Sequence, residues 1–129
     1  MIVGTGVDIV KIARFCPSPG KGFMERVFSV AERAHIASRG ASAPQTMAGI
    51  FAAKEAVVKA LGIGFAGFAP REVEICKTHM GQPYVKLHKG VLSVLRNRWG
   101  EPPGRYYKLS VSISHTQEDA VAFAVLERL

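Results

Sequence analysis

Gly49-Ile50-Phe51-Ala52-Ala53-Lys54-Glu55-Ala56-Val57-Val58-Lys59-Ala60-Leu61-Gly62-Ile63-Gly64 is the run on which the fold turns. It is rich in alanine and other good helix formers and closes on two glycines, which predicts a helix stopped by Gly62 and Gly64. Glu55 and Lys59 fall one turn apart on one face of that helix. Phe51 and Val58 flank that face, and Met47 and Leu61 lie further round, so the charged pair borders an apolar stripe. Such a pair is either helix-surface decoration, worth about 0.2–0.5 kcal/mol, or a rigidly held carboxylate and ammonium.

Upstream, residues 2–10 read as a strand in which Gly4 and Gly6 mark a bulge or a close approach to the backbone. Asp8 interrupts its β-branched run, either as a residue bonding its own backbone or as a carboxylate presented by rigid backbone. A loop with Pro17, Pro19, Gly20 and Gly22 follows, then a short helical turn over 23–28. Ser29-Val30-Ala31-Glu32 has the form of a capping box opening a helix to about Arg39. The long helix then starts near Pro44 or Gln45.

Downstream, residues 71–77 and 83–87 alternate polar and apolar and form a hairpin through Met80-Gly81-Gln82. Residues 90–98 read as a helix, 100–104 as a loop, and 107–114 and 120–126 as two final strands. Leu109, Val111 and Ile113 share a face of the first strand, and Val121, Phe123 and Val125 share a face of the second. The order predicts one α+β domain over residues 1–129, a largely antiparallel sheet packed against a long helix. No G-x-G-x-x-G or Walker-type loop is present, which argues against a doubly wound nucleotide fold.

Composition narrows the function. The net charge is +7, with basic residues scattered, which favours polyanionic partners without selecting one. No run approaches the ~20 apolar residues of a membrane span. The first residues lack the basic start of a signal peptide, and Cys16 and Cys76 have no metal-type spacing. A cytoplasmic protein with reduced, packed cysteines is the expectation. His35, His79 and His88 are read as surface residues.

Two constellations carry chemistry. Asp8 and Glu55 would suit a hard cation such as Mg²⁺, with Lys59 beside it to neutralise a phosphate oxygen. Ser112-Ile113-Ser114-His115-Thr116 is either a hydroxylic strand face ending in a histidine cap, or a set of donors for phosphate or base contacts. Ser114 and His115 point to opposite faces of a strand, which disfavours a nucleophile pair.

Gly6-Val7-Asp8-Ile9-Val10 with Arg14, Phe51-Ala52-Ala53-Lys54-Glu55-Ala56 with Lys59, and Ser112 to Thr116 together resemble, in order, the three signatures of holo-acyl-carrier-protein synthases, the small bacterial 4′-phosphopantetheinyl transferases. The segments around Ser29 and Glu32, Gly67-Phe68 and Gly81-Gln82-Pro83 are also similar, so the likeness covers nearly the whole chain. The resemblance implies transfer of phosphopantetheine from coenzyme A to a serine of an acidic apo carrier protein, releasing adenosine 3′,5′-bisphosphate. It further implies Mg²⁺ on Asp8 and Glu55, which fits a role for Glu55 in taking the serine proton, directly or through a metal-bound water. Lys59 would lie on phosphate, Gly62 and Gly64 near the cofactor, and Ser114, His115 and Thr116 on adenosine and its 3′-phosphate. In the small type that last segment comes from a neighbouring subunit of a homotrimer, and Arg14 docks the carrier. Ile50 and Ile63 depart from the family's usual arginine and threonine, which removes one expected phosphate contact and one hydroxyl.

On this reading there is neither a membrane nor a nucleic-acid partner. The alternatives are a non-catalytic coenzyme A-binding scaffold and a basic nucleic-acid module. The module would use Trp99, Tyr106 and Tyr107 beside Arg96, Arg98 and Arg105.

Overall fold

A computed structural model of the chain describes residues 1–100 and 106–129. Its elements are β1 (Ile2–Lys11), α1 (Lys21–Val27), α2 (Val30–Ala37), α3 (Ala43–Leu61), β2 (Val73–Lys77), β3 (Pro83–Leu87), α4 (Lys89–Trp99), β4 (Tyr107–His115) and β5 (Asp119–Arg128). Short 3-10 turns occupy Ile12–Phe15, Gly40–Ser42 and Pro70–Glu72. The α+β class is as expected, with the strands divided between two antiparallel sheets, β1-β5-β4 and β2-β3. Arg71 and Glu72, expected at the start of β2, belong instead to the turn before it. Of the expected loop over 100–104, all but Gly100 lies outside the described residues.

The predicted caps form. The Ser29 hydroxyl accepts from the Glu32 N–H, and the Glu32 carboxylate accepts from the Ser29 N–H at 2.7 Å. At the far end of α3, Gly62 adopts φ 70°. Its N–H bonds the Lys59 carbonyl while the Ile63 N–H reaches the Val58 carbonyl, a Schellman ending. Gly62 alone therefore makes the stop, and Gly64 follows it without a left-handed backbone.

α3 lies across the three-stranded sheet. A Cβ on Gly6 would fall 1.9 Å from the Ala56 carbonyl oxygen, so glycine there lets strand and helix backbones meet. The same closeness explains β5. Its core side is Ala120, Ala122, Ala124 and Leu126, with the three alanines set where α3 comes closest. Val121, Phe123 and Val125 do share a face, but it is the one turned away from the helix. Through the ladder that face continues into Val7 and Ile9 of β1, leaving Val7, Ile9 and Phe123 exposed by 54%, 66% and 47%.

Candidate functional site

Register places Asp8 of β1, Ala122 of β5 and Ile113 of β4 in one row across the sheet. With strands ~4.8 Å apart, Asp8 and Ile113 stand about 10 Å from each other. α3 runs over this row. Ala56 and Ala60 touch β1, while Gly49 approaches the Ile113 side chain. The helix therefore has two flanks, and the residues singled out in the sequence divide between them.

On the β1 flank, the Lys59 ammonium donates to the Val7 carbonyl at 2.9 Å and lies 3.4 Å from an Asp8 carboxylate oxygen. Glu55, one turn back and half-buried, has its pKa raised, first by burial and then by the Asp8 charge. Lys59 and Arg14 pull it the other way without cancelling the rise. Arg14 is exposed and stacks over the Phe51 ring, 4.7 Å from its centroid. Strand, 3-10 turn and helix thus gather two carboxylates, an ammonium and a guanidinium. Among the described residues no cluster of three or more His, Cys, Asp or Glu could cage a metal. The donor set is two hard carboxylates, which suits an ion that completes its shell from water and substrate oxygens.

On the β4 flank a cavity of about 360 Å³ is open to solvent. His115 lines it together with His35, Arg39, Gln45, Ile50 and Lys77. Gly62 and Gly64 do not line this cavity, and Ser114 turns to the other face of the sheet, opposite Val121. The Thr116 hydroxyl accepts from the N–H groups of Glu118 and Asp119, so Thr116 and not His115 caps the turn after β4. The structure therefore joins Asp8, Glu55, Lys59 and Arg14 in one place and sets His115 in another. Ile50, flagged as a departure, is buried against the second.

Several residues escape sequence reasoning. Lys54 is buried, with its ammonium 2.8 Å from Glu32, 2.6 Å from the Val73 carbonyl and 3.1 Å from the Pro70 carbonyl. Glu32 also accepts from the Ile75 N–H at 2.8 Å, so the capping box doubles as the anchor of a buried ion pair. His35 is half-buried in the cavity wall and His88 pairs with Glu74 at 3.1 Å; only His79 is the surface histidine expected. Cys16 and Cys76 are free, but Cys16 is exposed and not packed. The Trp99 and Tyr107 rings pair at a tilt with centroids 5.1 Å apart, while Tyr106 is exposed; Arg105 lies outside the described residues. No helix among the described residues is long and apolar enough to cross a membrane.

Comparison with known proteins gives the family. A family model for the 4′-phosphopantetheinyl transferase superfamily matches residues 4–122. The holo-[acyl-carrier-protein] synthase of Clostridium kluyveri is 43% identical over 98% of this chain and 91% of its own. That of Alkaliphilus metalliredigens is 39% identical over 97% and 98%. Among solved structures, a Chronobacterium ammoniagenes ACPS–CoA complex has a TM-score of 0.81 at 31% identity, covering 98% of this chain and 97% of that one. A Bacillus anthracis holo-(acyl-carrier-protein) synthase in complex with CoA (3′,5′-ADP) has a TM-score of 0.77 at 31% identity, covering 100% and 99%.

Proposed function

The chain belongs to the 4′-phosphopantetheinyl transferase superfamily, and from that premise we propose that it acts as a holo-acyl-carrier-protein synthase. It transfers 4′-phosphopantetheine from coenzyme A to a serine of an apo acyl-carrier protein. The observation that carries this reading is the meeting of Asp8, Lys59 and Glu55 on one flank of α3, in a chain similar along its length to such synthases.

The serine hydroxyl attacks the phosphorus that bears the pantetheine arm. A new oxygen–phosphorus bond forms, and adenosine 3′,5′-bisphosphate leaves with the electron pair of the broken one. Glu55 takes the serine proton, directly or through a water. Lys59, freed from Asp8, holds a phosphate oxygen by a charge-assisted bond. Asp8 and Glu55 are the residues that would hold Mg²⁺, which when bound neutralises charge on the phosphates. Most of the rest is positioning.

His115 and its cavity serve the nucleotide end of coenzyme A, while Ser114 faces the other side of the sheet and Thr116 caps the turn after β4. His115 and the cavity lie across α3 from Asp8, so a neighbouring copy completes each site in a homotrimer. The exposed apolar face with Val7, Ile9 and Phe123 is the surface available for that contact. Arg14 and the +7 charge steer an acidic carrier to the β1 flank.

Incubation with apo carrier protein, coenzyme A and Mg²⁺, followed by intact-mass analysis of the carrier, tests this directly. A phosphopantetheine-sized gain that a chelator abolishes is expected; an unchanged carrier mass overturns the assignment.

A further inference from the structure

A second cavity, of about 310 Å³, lies where α3 ends between the two sheets. Leu61 of α3, Leu87 of β3, Leu92 of α4 and Leu109 of β4 are in its walls, and no charged side chain is among its described lining residues. Leu61 stands about 18 Å along the helix from Gly49 in the wall of the His115 cavity, so the two spaces are separate. An apolar cavity of about 150 Å³ already stays dry and takes up a benzene-sized hydrocarbon. One of this lining and about twice that volume suits a longer hydrocarbon.

The apolar cavity adjoins a basic one. Leu61, Tyr107 and Leu126 line both, and beyond them the wall includes Trp99, Arg98 and Arg128. The register sets Arg128 of β5 directly across the ladder from Tyr107. A Cβ on Gly62 would lie 3.9 Å from the Arg98 guanidinium, which places that group beside the residue following Leu61. Neither guanidinium has an ion-pair partner among the described residues, and no carboxylate is among those lining the basic side. Two exposed arginines would by themselves be ordinary solvated surface. The apolar cavity they adjoin sets these two apart.

We propose that the paired cavities bind a free medium-chain fatty acid, its chain among the leucines and its carboxylate on Arg98 and Arg128. Apolar volume and cationic rim match the two ends of such an amphiphile, and a guanidinium presents paired N–H donors in the geometry of a carboxylate. At roughly 30 Å³ for each group, the cavity takes a chain of roughly eight to ten carbons. Asp8, Glu55 and Lys59 line neither cavity, so the site stands independently of the transferase reading. An occupant adds contacts at the end of α3 and stabilises the fold by mass action.

Titration calorimetry of the full chain with octanoate at several temperatures tests this, with 1-octanol and acetate probing each end alone. Octanoate should bind with a negative heat-capacity change, the mark of apolar burial, and raise the melting temperature as its concentration rises. Acetate should give no measurable heat. Arg98→Ala combined with Arg128→Ala should weaken octanoate by roughly tenfold to a hundredfold, the range of a lost charged hydrogen bond, and leave octanol unchanged. Leu92→Trp, which fills the cavity, should weaken both ligands, and Leu109→Phe takes its place if that variant does not fold. Absence of octanoate binding to the wild-type chain would overturn the site, and so would unchanged affinity in the double arginine variant or in a folded cavity-filling variant. Binding to anionic phospholipid vesicles but not to monomeric octanoate would give the arginines to a membrane surface. A changed oligomeric state in Leu92→Trp, again without octanoate binding, would give the cavity to a second copy. Either result overturns the proposal. Transfer to the carrier should continue in every variant, so failure here leaves the transferase reading intact.

Discussion

Lys54 and Lys59 leave the same helix little more than one turn apart, yet one is 1% exposed at its side chain and the other 52%. Lys54 is tied to Glu32 and two carbonyl oxygens in the interior, and burial alone pushes its pKa down despite Glu32. Lys59 reaches along the surface to Asp8 and the Val7 carbonyl. The first lysine has every donor committed, so its contribution is to architecture. The second holds a weak, solvated pair that a phosphate can displace. On the proposed reading, identical chemistry becomes structural or functional according to which face of α3 presents it.

The comparison breaks most sharply at Glu55 and Asp8. Replacing either with alanine should lower transfer by roughly a thousandfold or more, as expected when a general base or its charge partner is lost, without unfolding the chain. Single-turnover rates alongside circular dichroism would read both effects. Next comes Lys54→Met, expected to cost about 3–5 kcal/mol of stability because Glu32 is left buried without its cation. Denaturant melts measure this, and a loss below 1 kcal/mol would mean the interior pair is not the anchor it looks like. Lys59→Met should do the reverse, with kcat/KM down roughly tenfold to a hundredfold and stability changed by less than about 1 kcal/mol.

The smallest effect is the most telling about charge. Glu55 titrates above an unstructured glutamate, so keeping it ionised costs the folded protein. That cost is absent below the unfolded-state pKa and complete above the folded one. Glu55→Gln in chelator should therefore melt slightly higher than wild type at neutral pH and lose the advantage in acid. A lower melting temperature at neutral pH would show that Lys59 and Arg14 outweigh burial and Asp8.

Much of this was legible beforehand because local rules and tertiary structure agree. The Ser29–Glu32 box, the Gly62 stop and the close approach at Gly4 and Gly6 each follow from backbone chemistry that needs no knowledge of the fold. Lys54 was not legible, since its partners Glu32, Pro70 and Val73 come together only when α2, α3 and β2 pack. The facing of β5 was missed for a related reason. Alternation shows which residues share a face, but only the glycine–alanine contact with α3 decides that the alanines go inward. Asp8 and Glu55 were legible as a pair through the ordered likeness to a family, whereas the cationic set Arg39, Lys77 and His35 is spread over two elements with no motif to join it.

One experiment bears on the central claim with least ambiguity: the Glu55→Gln variant, assayed by intact carrier mass with coenzyme A and Mg²⁺, and melted from the same preparation. The account predicts no transfer from a protein at least as stable in chelator as wild type. Transfer at a near wild-type rate would contradict it.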